Sequence, residues 1–256
     1  MVADADRFSL RGRTALVTGG SRGIGRAIAV AMAGAGAHVA VCARHLDACE
    51  KVVEEIIDAG GTAIPVAGNV GHAEDAGTIV AAVMDQFGAL DILVNNAATN
   101  PQFGLLVDAE DAAVDRVFEV NVQGPLRLIS AVVHAWMGEH GGSIINMASV
   151  GGINPEPMIG AYNASKAALI NLTRTLSHEL GRSGIRVNAI APGLVDTEFA
   201  RVLIETPKIH ERIIRGTALK RHAEPDEIAG AAVFLASEAA SYVTGSVIVV
   251  DGGATA

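Results

Sequence analysis

Cysteine is almost absent from this chain: Cys42 and Cys49 are the only two among 256 residues. Two thiols are too few for a disulfide framework, and a reducing compartment, the cytoplasm, is the expectation. Positive charge is also short. The 19 Lys and Arg stand against 28 Asp and Glu for a net charge of −9, and no Lys/Arg cluster exceeds two residues. That balance speaks against a nucleic-acid or anionic-membrane partner. Long apolar runs are missing too. The most membrane-like stretch, 27–43, contains Gly34 and Gly36 and reads better as a helix end, a turn and a strand. Residues 1–13 carry Asp4, Asp6, Arg7, Arg11 and Arg13 and no apolar centre, so no secretory signal is expected there.

No Pro/Ser-rich linker and no internal repeat divides the chain, so one domain over 1–256 is expected. Half of the residues are hydrophobic and 18% are charged, which rules out a disordered chain. Short apolar runs at 14–18, 38–42, 62–66, 91–94, 143–147, 186–190 and 247–250 predict seven strands. Between them, 24–33, 73–87, 114–137, 161–180 and 225–236 have helical spacing, the last opened by Pro225. Because the strand runs are continuously apolar, they should be buried on both faces, as in a parallel sheet covered by helices. The expected fold class is α/β, a single doubly wound domain with a seven-stranded parallel sheet. Residues 194–222 fit no strand and mix charges with aliphatics, so they are expected to form short amphipathic helices. They follow the C-terminal end of a strand, where open α/β sheets bind ligands, which makes them a candidate substrate lid.

Three patterns carry chemistry. The first strand runs into Thr18-Gly19-Gly20-Ser21-Arg22-Gly23-Ile24-Gly25 and then a helix. Glycines there let a strand turn tightly under a diphosphate held by backbone N–H groups and a helix N-terminus. The second strand ends at Arg44, with no carboxylate before Asp47. An acidic residue at that place would accept ribose hydroxyls, whereas Arg44 and Arg22 could flank a 2′-phosphate, so NADP(H) is favoured over NAD(H). Finally, Tyr162 and Lys166 stand four residues apart on one helical face, Ser149 ends the fifth strand, and Asn121 occupies a helix interior that disfavours it.

Taken together, residues 18–25, Asn95-Asn96-Ala97, Asn121-Val122, Ser149, Tyr162-Asn163-Ala164-Ser165-Lys166 and Pro192-Gly193 resemble the short-chain dehydrogenase/reductase family over nearly the whole chain. The resemblance implies a Rossmann-like fold and a catalytic set of Asn121, Ser149, Tyr162 and Lys166. In it Tyr162 is the general acid, Lys166 binds the nicotinamide ribose, Ser149 polarises the substrate carbonyl, and Asn121 holds a water leading from Lys166 to solvent. The implied dinucleotide contacts are Gly19, Ser21, Arg22, Gly23, Ile24, Gly25, Arg44, Asn69, Val70, Asn95, Ala97, Tyr162, Lys166, Pro192, Gly193, Val195 and Thr197. Thr197 reads equally well as a helix N-cap. Asn69-Val70 replaces the family's common Asp-Val, and Ala98 follows Asn95-Asn96-Ala97 where the family usually has Gly. No metal is expected.

The resemblance extends to 3-oxoacyl-thioester (acyl-carrier-protein) reductases and to carbonyl reductases of the retinal and dicarbonyl type. Apolar candidates Phe103, Leu105, Pro155, Met158, Ile159 and Phe199 suit a hydrophobic ketone or 3-oxoacyl thioester. Residues 137–141 offer little basic surface for a carrier protein. The alternatives are a 3-oxoacyl-acyl-carrier-protein reductase of fatty acid synthesis and, in another class, a non-catalytic dinucleotide-sensing regulator. The family also implies a homo-tetramer with helices 114–137 and 161–180 at its interfaces.

Overall fold

The apolar runs become the seven strands expected of them: β1 (Thr14–Thr18), β2 (His38–Ala43), β3 (Thr62–Ala67), β4 (Ile92–Asn95), β5 (Gly142–Met147), β6 (Ile185–Pro192) and β7 (Val247–Val250). The computed structural model describes residues 7–256. The expectation about a secretory signal therefore lies, for residues 1–6, outside the described residues. All six strand pairings are parallel, in the order β3-β2-β1-β4-β5-β6-β7. The chain winds outward from β1 to β3 and returns to β4 on the other side. Strand order thus reverses between β1 and β4, and a crevice opens outside their C-terminal ends.

Ten α-helical segments are described: α1 (Gly23–Gly34), α2 (Leu46–Asp58), α3 (Asp75–Phe87), α4 (Asp111–Phe118), α5 (Gly124–Val132), α6 (Gly138–His140), α7 (Gly160–Leu180), α8 (Arg201–Glu205), α9 (Pro207–Gly216) and α10 (Asp226–Ala236). They cover the sheet on both faces because strand side chains alternate. Ala15 and Val17 of β1 and Ile92 and Val94 of β4 join the core under α1, α2 and α10. Leu16 and Leu93 between them join the opposite core, under α3, α5 and α7. Both cysteines are free and buried, and burial pushes the Cys42 thiol up to about 12. No helix among the described residues is long and apolar enough to cross a membrane.

Three details differ from the sequence reading. Helix α2 lies outside the stretches with predicted helical spacing, although Cys49, Val52, Val53 and Ile56 form its buried stripe. The stretch expected at 114–137 runs from Asp111 to His140 and is interrupted by π turns at Glu119–Gln123 and Val133–Met137. The first π turn carries Asn121, which is how a helix accommodates a residue poorly suited to a regular interior. Burial on both faces holds for the central strands but not at the edges, where β3 and β7 are only partly buried. Edge position is also what lets β3 contain Pro65, since proline has no N–H for a second neighbour.

A buried polar chain ties the crevice floor to α7. Asn95 Nδ2 donates to Asn146 Oδ1 at 2.9 Å, and Asn146 Nδ2 donates to Thr173 Oγ1 at 2.9 Å. All three residues are at most 2% exposed. Replacing Asn146 by Ala strands the Asn95 amide, whose Oδ1 already lacks a partner. Asn146→Ala should therefore cost about 1–3 kcal/mol, read from the urea unfolding midpoint; an unchanged midpoint would show that β4, β5 and α7 do not depend on this chain.

Candidate active site

The glycine-rich turn is shaped by contacts that exclude a side chain. Gly19 adopts φ +61 and Gly23 φ +53, both in the left-handed region. A Cβ on Gly25 would lie 2.1 Å from Gly19 O and 2.4 Å from Asn96 Nδ2. The first turn of α1 therefore packs against the loop backbone, and helix N–H groups open into the crevice beside it. Gly19, Ser21, Gly23, Ile24 and Gly25 lie on this turn and the first turn of α1. Asn96 and Thr18, missing from the predicted contacts, hold the turn in place. Asn96 Nδ2 donates to Thr18 O at 2.9 Å and Gly19 O at 3.1 Å. Thr18 Oγ1 donates to Val94 O and accepts from the Asn96 and Ala97 amides at 3.0 and 3.2 Å. Their signal in the sequence was two polar residues at strand ends that otherwise end in valine.

The two arginines expected at a 2′-phosphate differ. Arg44 is exposed and makes no ion pair among the described residues. Arg22 pairs with Glu198, the first residue of a short turn after β6. Asn69 accepts from the Gly71 amide at 3.1 Å and sits beside His72, while its own amide is held by Asp75 at 2.7 Å. Val70 is buried next to it. On the far side, Pro192 ends β6, and a Cβ on Gly193 would meet Asp251 at 2.9 Å. Val195 is buried, and Thr197 caps the following turn by accepting from Ala200 N at 3.3 Å. The cap reading of Thr197 is thus realised. Its methyl also faces the glycine-rich turn, 3.1 Å from a Cβ built on Gly23.

The side chains expected to be catalytic meet beyond the C-terminal end of β5. Ser149 caps a short turn by accepting from Gly151 N at 3.1 Å. Tyr162 projects from the first turn of α7, and the Ser149 hydroxyl lies near enough to act on its phenol. Crowding around the phenol pushes it up to about 12, against the downward pull of Ser149. One turn on, Lys166 is 2% exposed, and burial brings its ammonium down to about 8. Lys166 Nζ lies 5.5 Å from the Tyr162 ring centre and donates to Met147 O at 2.7 Å. Asn121 is completely buried, its amide engaged with the Thr99 N–H and C=O and with Ser165 Oγ. Ser165 Oγ in turn donates to Tyr162 O at 2.7 Å.

Apolar groups rim this constellation. Phe199 tilts over Tyr162 with ring centres 5.6 Å apart. Gly104 bridges to Ile159 and its amide donates to Met158 O, which brings Phe103 and Leu105, each 60% exposed, to the same mouth. Met158 holds φ 77, a strained value for a side chain of its size.

A nicotinamide dinucleotide fits this cleft. The glycine turn packs its backbone closely against the first turn of α1, the arrangement that suits a diphosphate, and the buried Asn95 Oδ1 has no protein partner.

A family model described as enoyl-(acyl carrier protein) reductase matches residues 19–255. The bovine (Bos taurus) protein named dehydrogenase/reductase SDR family member 4 is 42% identical over 249 residues, 97% of this chain and 89% of its own length. A short-chain type dehydrogenase/reductase from Mycobacterium marinum superposes with TM-score 0.92 at 37% identity, covering 98% of both chains. A gluconate 5-dehydrogenase from Burkholderia cenocepacia, solved with NADP and tartrate, gives TM-score 0.94 at 33% identity, again covering 98% of each.

Gly25→Ala drives a methyl into the Gly19 carbonyl and the Asn96 amide. It should weaken dinucleotide binding at least tenfold while leaving the far-ultraviolet circular dichroism unchanged. Nicotinamide fluorescence titration measures the loss, and wild-type affinity would mean that the turn adapts.

Proposed function

The chain belongs to the short-chain dehydrogenase/reductase family of oxidoreductases, and we propose that it reduces a ketone to a secondary alcohol with NADP(H), Tyr162 acting as general acid. The observation that carries this reading is the placement of the buried Lys166 ammonium 5.5 Å from the Tyr162 ring centre, with the Ser149 hydroxyl near enough to act on the phenol. Burial holds the phenol at about 12, protonated through neutral pH but a weaker acid than a free tyrosine and not depressed as a donor would need, so donation depends on the Lys166 charge beside it. Lys166, at about 8, is still charged there, so its field favours the phenolate left after donation. Ser149 accepts from Gly151 N, so its one hydroxyl proton is shared between the phenol oxygen of Tyr162 and an incoming substrate carbonyl. The Asn121 amide is committed to the 99 loop and to Ser165, so we assign a relay water to its main-chain carbonyl. Bound nicotinamide dinucleotide supplies the hydride.

The preference for NADP(H) rests on Arg44 and Arg22 at the adenosine end, where β2 ends without a carboxylate to accept the ribose hydroxyls. Arg22 must leave Glu198 to take a 2′-phosphate, which makes Arg44 the cation available from the start. The NADP complex of the Burkholderia relative is consistent with this choice. Residues 194–222 act as the lid, and the exposed Phe103, Leu105 and Phe199 make a hydrophobic ketone or 3-oxoacyl thioester the substrate class. Assembly as a homo-tetramer belongs to the same reading; Leu126, 42% exposed on α5, is one apolar residue such an interface would cover.

A second reading, reduction of a 3-oxoacyl group on an acyl carrier protein, is favoured by α9. Lys208, Arg212 and Arg215 are exposed at helical spacing on that helix. They supply basic surface that 137–141 does not. The non-catalytic regulator reading loses its support, because the chain belongs to an enzyme family and keeps Ser149, Tyr162 and Lys166 together.

Tyr162→Phe keeps the ring and removes the proton donor. Over a panel of ketones and coenzyme-linked and carrier-linked 3-oxoacyl thioesters, turnover should fall by about 10²–10⁴-fold with dinucleotide affinity preserved. Retention of a tenth of the wild-type rate would reject Tyr162 as the main acid, and a strict carrier requirement would select the second reading. Arg44→Ala should weaken NADPH more than NADH by about 1.5–3 kcal/mol, the worth of a hydrogen bond to a charged group. Titration with both cofactors decides it, since equal losses mean that Arg44 does not read the 2′-phosphate.

A further inference from the structure

Three metal-ligating side chains, with a second imidazole beside one of them, gather away from the Ser149, Tyr162 and Lys166 set. The chain leaving β6 and the chain entering α10 run side by side as a short parallel bridge, Val195 opposite Ala223. Asp196 N donates to Ala223 O at 2.8 Å and Ala223 N to Leu194 O at 2.9 Å. Alternate residues of extended backbone share a face. Val195 and Ala223 therefore turn into the core, and Asp196, His222 and Glu224 turn out together. One ligand atom from each lies within 4.8 Å of the other two. Helix α9 then lays His210 across this face, with its Nε2 3.1 Å from His222 Nδ1.

We propose that Asp196, His210, His222 and Glu224 form a binding site for a borderline-soft divalent cation, zinc, that fastens α9 to the base of the 194–222 segment. Two imidazole nitrogens, each about 2.0–2.1 Å from a tetrahedral zinc, stand a little over ~3 Å apart, which is the separation His210 and His222 already have. Facing imidazoles can share one proton or turn both lone pairs on one ion. Two carboxylates at the same place favour the ion, because they neutralise its charge. Mixed imidazole and carboxylate ligands select zinc and its neighbours over magnesium and calcium, which take oxygen. Arg221 is the nearby cation that could compete, but Glu227 holds both of its terminal nitrogens at 2.6 Å. Asp196 and Glu224 make no ion pair among the described residues. A second group, His72, Glu74 and Asp75, is a weaker candidate. It has one imidazole, already beside the Asn69 amide, and Asp75 is spent on the Asn69 N–H. Zinc at the first site would join the middle of α9 to segments anchored on β6 and α10, restraining the lid.

The test uses the untagged, full-length protein, stripped with a chelator and titrated with zinc chloride by calorimetry. Wild type should take up one equivalent with saturation and show a raised melting temperature. His222→Ala and His210→Ala should each lower zinc affinity tenfold or more, with NADPH affinity unchanged as proof of folding, and His72→Ala should bind zinc as wild type does. Absence of saturable uptake in wild type, or undiminished uptake in both histidine variants, overturns the site. Failure of this test leaves the carbonyl-reductase reading untouched, because neither binding measurement involves Ser149, Tyr162 or Lys166.

Discussion

Everything in the cleft depends on a polar clamp between the C-terminal ends of β1 and β4. Thr18 offers one hydroxyl to three backbone groups, and Asn96 spends both protons of its amide on the Thr18 and Gly19 carbonyls. At this point the sheet reverses its winding, and two strand ends must diverge without exposing unpaired backbone. Side chains replace the ladder that stops there. The clamp sets the height of the Gly19 carbonyl, and the Gly19 carbonyl in turn permits no side chain at position 25. Helix α1 begins where it does because of that close approach, and the anion cradle follows from the position of its first turn.

The second organising constraint is desolvation. Tyr162 and Lys166 are held in surroundings that disfavour charge on either of them, raising the phenol and lowering the ammonium. The two shifts move their proton affinities apart, from ordinary values of 10.0 and 10.5 to about 12 for the phenol and about 8 for the ammonium, so the phenol holds its proton more tightly than the ammonium does. The same low polarity strengthens the attraction between phenolate and ammonium when they form. Burial costs stability at α7, and the helix is secured there by the Met147 carbonyl under Lys166 and by the Asn95, Asn146 and Thr173 chain.

One turn of the segment after β6 touches both ends of the cleft. Thr197 faces Gly23, Glu198 pairs with Arg22, and Phe199 lies over Tyr162. Consecutive residues thus contact the diphosphate loop, the cation expected at the ribose and the ring expected to move the proton. A cofactor phosphate that draws Arg22 away from Glu198 would loosen the same turn that shelters Tyr162. In the proposed reading, cofactor choice and access to the reacting centre are therefore set by adjoining side chains.

The seven strands, the parallel sheet, the glycine turn and the shared helical face of Tyr162 and Lys166 were legible in the sequence, whereas Ser149 was singled out through the family resemblance. Each of the former is written in a local signal: an apolar run, a required φ, or a one-turn spacing. Even α2 left its stripe of Cys49, Val52, Val53 and Ile56, unread among charges. Tertiary structure alone decided what depends on residues far apart in the chain meeting. Glu198 reaches Arg22 from 176 positions away, Asn96 reaches Gly19 from 77, and His210 meets His222 only because the 195–223 bridge turns the chain back. Exposed polar residues carry no periodic pattern to announce such meetings. Their partners are set by where the sheet ends and the loops return, and a pair of side chains has no signature in either local segment.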